Sequence, residues 1–193
     1  VLIVQVQGTG VGNYEFGKVG SVNGNTLTLQ KNLANTYQVG GSSKAQVVLV
    51  PNYRNVMVQS GGTLTAHAWN GSTGGVLAFR ASGSVTLSGG AIDASNRGYR
   101  GGSRTYGPAQ HGLQGEGLTG EGVRSRYPNN GAGGGGPGTN DGGAGAGGGS
   151  FASSGGNAKD PFYGDPGLGS QVIYGEASLG QVFFGGAGGA GGT

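Results

Sequence analysis

An all-β chain without helices is what this sequence predicts, and three observations carry the expectation. The first fifty residues alternate apolar and polar positions with a period of two, the repeat of a half-buried strand. Glycine supplies 50 of 193 residues, where ordinary usage is about 7%. No stretch joins an N-cap to apolar positions spaced 3.6 residues apart, so no helix is expected. Charged residues make up only 10% of the chain, which excludes both a charged disordered tail and a salt-bridged helical surface. Collagen is excluded as well, because glycine does not recur at every third residue and six prolines are too few.

Residues 1–52 are expected to form a small β-barrel or sheet. Val4 and Val6 alternate with Gln5 and Gln7, and strands are expected near residues 1–7, 14–22, 26–30 and 46–51, with the first of these an edge. The Asn23-Gly24-Asn25 stretch is a hairpin signal, since tight two-residue turns need positive φ. Residues 53–102 are expected to be β-solenoid coils: short β-branched clusters (Val56-Met57-Val58, Leu64-Thr65-Ala66, Val76-Leu77, Val85-Thr86-Leu87, Ala91-Ile92) are separated by small polar turns. A sandwich shows similar spacing. Seventeen glycines fall in residues 1–100 and 33 in residues 101–193, so residues 103–193 are expected to be a glycine-rich region. That region is read as a polyglycine II-like bundle carrying short strands, because the missing side chain lets extended backbones approach closely. A flexible linker is the alternative. Phe162-Tyr163, the 171–174 run and the 181–184 run argue for order, because those side chains need burial.

The chain resembles a recurring module of large bacterial surface and secreted proteins, among them adhesin-like and gliding-motility-like proteins. The resemblance runs through VLIVQVQGTGVGNYEF (1–16), VGSVNGNTLTLQKNL (19–33), AQVVLVPNYRNVMV (45–58), the stretch from residue 61 to 102 and HGLQGEGLTGEG (111–122). WNGSTGGV (69–76) and GYRGG (98–102) are its most specific pieces. A more distant likeness, in composition only, is to phage tail adhesins built on polyglycine II bundles. What the resemblance implies is a non-enzymatic structural or adhesive module outside the cell, with no catalytic residues to carry over.

The residues themselves point the same way. An enzyme needs converging acid and base groups, and only eight carboxylates and two histidines exist here. His67 sits in a strand-like run and is expected to face outward. His111 with Glu116 is a formal acid–base or metal pair, against a loop in which Glu116 and Glu121 accept bonds from glycine amides. Asp93, Glu116, Glu121 and Asp141 are too scattered for the paired carboxylates of a glycosidase. Calcium is the one cofactor considered: Asp141, Asp160 and Asp165 sit on tight turns, but the nonapeptide of calcium-binding β-rolls is absent. The GTGVG turn at 8–12 follows a strand yet precedes no helix, so it is not a dinucleotide fingerprint.

A ligand-binding surface is expected where tyrosine and arginine gather, at Tyr99, Arg100, Arg104, Tyr106, Arg124 and Tyr127. Expected partners are a second copy through the coil ends, the flanking chain of a larger surface protein, or a glycan or cell-surface receptor. The net charge of +3 is spread along the chain, so nucleic acid is not expected, and no apolar run reaches membrane-spanning length. Ice binding would need ranked Thr-x-Thr pairs, and only Thr26/Thr28 and Thr63/Thr65 qualify. The chain opens VLIVQVQG without Met or a basic leader and is expected to be processed or partial, with the mature protein extracellular or on a bacterial surface.

Overall fold

The computed structural model describes residues 1–103, 112–136, 145–159, 165–175, 178 and 180–191. Among these residues the fold is all-β, with eleven short strands and no helix. The first five are β1 (Leu2–Gln7), β2 (Tyr14–Phe16), β3 (Val19–Asn23), β4 (Thr26–Leu29) and β5 (Lys44–Val48).

β1 is the middle strand of an antiparallel sheet ordered β2-β1-β5, while β3 and β4 pair only with each other. No closed barrel forms, because β2 and β5 each pair with β1 alone and never meet to complete a ring. The expected edge strand at residues 1–7 is therefore a central one. All six residues of β1 are buried even though its sequence alternates. Gln5 and Gln7 enter the interior because their amides are bonded there. Gln5 Nε2 donates to the carbonyls of Gln7 and Gln38 at 2.8 Å, and its Oε1 accepts from Gln38 N at 2.7 Å. The expected strand over 14–22 is split at Gly17 and Lys18: Gly17 closes the ladder with β1 by exchanging backbone bonds with Val1 at 2.9 Å, and from Lys18, whose O accepts from Gln30 N at 2.9 Å, the chain pairs with the β4 side instead. In the β3–β4 hairpin Asn23 pairs with Thr26, so the two loop residues are Gly24 and Asn25. Only Gly24 has positive φ, at 55°, which is the pattern of a turn with glycine at its first central position.

The next six strands are β6 (Asn52–Tyr53), β7 (Val56–Gln59), β8 (Thr63–Leu64), β9 (Arg80–Ala81), β10 (Val85–Ser88) and β11 (Ala91–Ile92). They form three parallel pairs, with Asn52 beside Arg80, Val56 beside Val85 and Thr63 beside Ala91. Each pair joins residues 28 or 29 positions apart, so residues 52–69 and 80–97 follow the same path one strand spacing apart. Trp69 N donates to Arg97 O at 2.9 Å and continues the correspondence. Gly61 and Gly89, with φ of 78° and 80°, turn the two paths after β7 and β10.

Beyond residue 100 the described residues form no sheet, only the isolated bridges Leu113–Arg124 and Gly117–Gly120. Segment 131–136 exchanges backbone hydrogen bonds with five other segments. Gly115 N donates to Gly134 O, Gly134 N to Ala187 O, Gly135 N to Leu168 O, Gly136 N to Ser125 O, and Gly147 N to Gly135 O, all at 2.8 Å. A strand in a sheet has at most two such neighbours, so this is a three-dimensional array. Glycine is required by the spacing. A methyl group on Gly115 would fall on the Ala187 carbonyl, and one on Gly133 on the Gly115 carbonyl.

One core ties these parts together. Val4, Val6, Trp69, Tyr99, Phe184 and Ala187 are buried against one another. The Phe184 ring meets Trp69 edge-on at 5.5 Å and Tyr99 at 5.1 Å, the favoured geometry for aromatic pairs.

Candidate functional site

The most developed polar cluster lies where the three parts meet, around Glu116. Its backbone is fixed on both sides, with Glu116 N donating to Arg100 O at 3.0 Å and Glu116 O accepting from Ala187 N at 3.1 Å. The carboxylate is 3% exposed. Oε1 accepts from Gln7 Nε2 at 2.9 Å and Trp69 Nε1 at 3.0 Å, while Oε2 accepts from Arg100 N at 2.9 Å and Arg100 Nε at 3.0 Å. Burial alone raises the carboxyl's pKa, but these bonds, led by Arg100, outweigh it and hold Glu116 below the ordinary glutamate value. Arg100 is held more firmly protonated by the same contact. The glutamate is thus an ionised structural hub with both oxygens occupied, which leaves it no lone pair to act as a base.

Arg100 carries the cluster to the surface. Its guanidinium also pairs with exposed Glu121 and reaches Asn70 O at 3.4 Å. A cleft of about 240 Å³ opens here between Arg100, Gly102, Ser103, Gln114 and Glu121. The cleft offers charged donors and acceptors suited to polar, hydroxyl-rich groups.

A second surface feature lies on the neighbouring segment. Tyr127 is 60% exposed, and the Arg126 guanidinium lies 5.6 Å from the centre of its ring. Arg126 Nη1 donates to Asp165 at 2.7 Å, whereas its buried Nε has no hydrogen-bond partner.

The expected ligand-binding residues are therefore divided. Tyr99 is buried, with its hydroxyl donating to Val6 O and its pKa raised by burial. Arg100 lines the cleft, Arg124 is exposed beside Leu113, and Tyr127 is exposed beyond it. Arg104 and Tyr106 lie outside the described residues, as do His111, Asp141 and Asp160. Asp165 is paired with Arg126, and among the described residues no group of three or more histidine, aspartate or glutamate side chains converges to hold a metal. His67 faces solvent. Glu116 takes its bonds from Gln7, Trp69 and Arg100 and not from glycine amides, and no local rule could have paired residue 7 with residue 116. Trp69, the one tryptophan, was the available signal, because a buried indole N–H needs an acceptor.

No protein family, curated protein or solved structure matches the chain. No helix among the described residues is long and apolar enough to cross a membrane.

Proposed function

We propose that the chain is a non-enzymatic structural or adhesive module of a bacterial extracellular surface protein or filament. It is a small sheet followed by a two-coil β-solenoid and a polyglycine II-like bundle. The observation that carries the proposal is the glycine array, in which segment 131–136 is bonded through its backbone to five neighbours. None of the glycines in 133–136, 145–149 or 185–189 has a left-handed φ, which is compatible with the three-residue polyglycine II turn. Glycine here serves close approach rather than turning. Such an array satisfies its amides internally and resists local opening, the property a load-bearing or attachment element needs. The parallel pairs 28–29 residues apart support the solenoid, and the resemblance to bacterial surface modules supports the location. Glu116, Glu121 and Asp165 are all paired with arginine, which favours architecture over catalysis.

Hydrogen-exchange mass spectrometry with limited proteolysis tests the proposal. Amides in 131–136, 145–150 and 185–190 are expected to exchange slowly, and the intact chain to resist nonspecific proteases. Free-chain exchange there would overturn it.

A second reading, a carbohydrate- or receptor-binding tip, is favoured by exposed Tyr127 beside Arg126, since an aromatic face flanked by cations stacks well on sugars. A glycan array separates the two: binding that disappears in Tyr127→Ala selects the tip.

A further inference from the structure

The coil stack ends on a strand edge with nothing over it. Register places Val85 beside Val56 and Leu87 beside Val58, and thus on the same face of the paired strands. Val58 is 8% exposed, yet one strand further Leu87 is 51% exposed and Val85 46%. Ile92, paired with Leu64, is 41% exposed. The apolar row is buried at Val58 and half-buried at Val56 and Leu64 in the first coil, and exposed throughout in the second. Backbone bonding is equally one-sided. Arg80 N, Ser82 N, Ala91 N and Asp93 N donate to Pro51 O, Tyr53 O, Gly62 O and Leu64 O, all in the first coil. Strands β9, β10 and β11 have no second strand partner among the described residues, and neither do β6, β7 and β8 on the opposite edge, so the exposed apolar row is what distinguishes the second coil.

Natural proteins blunt such edges with lysine, proline or a covering loop. Residues 79–93, FRASGSVTLSGGAID, contain no lysine or proline, and their one cation, Arg80, is matched by one anion, Asp93. The edge is net neutral and repels no copy of itself. It already accepts, on its inner side, a coil of its own pattern: VMVQSGGTL at 56–64 lies against VTLSGGAI at 85–92.

We propose that two copies of this chain pair through the second coil, with β10 of one copy antiparallel to β10 of the other. Because Val58 is buried and Val56 and Leu64 are half-buried in the first coil while Val85, Leu87 and Ile92 are exposed in the second, the more open row meets its own copy and the contact closes on a two-fold axis. Val85, Leu87 and Ile92 of each copy cover those of the other, and the outward backbone groups of β10 gain partners.

Sedimentation velocity and light scattering on the intact chain test this directly. The expected mass is twice 18.8 kDa, and Leu87→Glu is expected to weaken association by about thirtyfold or more. The chain has no cysteine, so Thr86→Cys, near the proposed axis, is expected to cross-link two copies on oxidation. Val123→Cys, on the glycine-rich part, is expected not to. Thr86→Cys decides the matter even if Leu87→Glu misfolds. A single-chain mass at high micromolar concentration, a dimer indifferent to Leu87→Glu, or equal cross-linking at Val123 would overturn the proposal.

Discussion

Glu116 shows how one side chain joins distant stretches of sequence. It receives donors from Gln7 in the first strand, Trp69 after β8 and Arg100 after β11. Its folded pKa lies below the ordinary 4.5. The carboxylate therefore contributes fully above about pH 4.5, and that contribution fades as pH falls through the lower folded value. Trp69 is the only tryptophan and bonds this carboxylate, so its fluorescence reports the event directly. Acid titration is expected to shift Trp69 emission with a midpoint below pH 4.5. Glu116→Gln is expected to lower stability at neutral pH by about 2 kcal/mol, the scale of a charged hydrogen bond, and to flatten the pH dependence below 4.5. An unchanged acid limb in the variant would show that another carboxylate controls it. Glu15 is also held low, chiefly by the Ala34 and Asn35 N–H groups, and Tyr37, which donates to it, is pushed up to about 12. Glu15→Gln is the matching control.

At the scale of elements, the chain uses glycine in two ways that composition alone does not separate. Among the described residues, eleven glycines before residue 90 have positive φ, against two after it, Gly120 and Gly175. The early glycines make turns and the later ones make room. Two substitutions distinguish the uses. Gly115→Ala puts a methyl group on the Ala187 carbonyl, and backbone cannot rotate aside as a side chain can. Overpacking of this kind is expected to cost about 3 kcal/mol. Gly185→Ala meets nothing within 4 Å and is expected to be neutral or to stabilise by about 0.5 kcal/mol, by restricting the unfolded chain. Thermal or denaturant unfolding of both variants checks the contrast. If Gly115→Ala is as stable as Gly185→Ala, the segments are not packed as described. The coil correspondence was legible in the sequence, since VMVQSGGTL and VTLSGGAI repeat with one residue deleted. The spacing between neighbouring clusters hid it, because the paired residues lie 28 or 29 positions apart, several clusters away.

Across the whole molecule, the antiparallel sheet, the parallel strand pairs and the glycine-rich segments share one core. Phe184 comes from residues near the end of the chain and packs between Trp69 and Tyr99, with Val4 and Val6 from the first strand in the same cluster. Phe184→Ala is expected to cost about 3–5 kcal/mol. It should lower the midpoint seen by Trp69 fluorescence together with the one seen by far-ultraviolet circular dichroism. Two separated transitions in the unsubstituted chain would mean that the parts fold independently.

The sequence by itself determined the all-β class, the absence of helices among the described residues and the change in glycine content near residue 101. Each follows from local physics: side-chain period, capping and the conformational freedom of glycine act within a few residues. It also placed the turn at Gly24. Only the tertiary structure decided that β1 is central, that Gln5 and Gln7 lie inside, that Tyr99 belongs to the core and that Glu116 is a hub. Those outcomes depend on which segments meet across separations of 47 and 109 residues. Local pattern says which face of a strand is apolar, but not what arrives to cover the other.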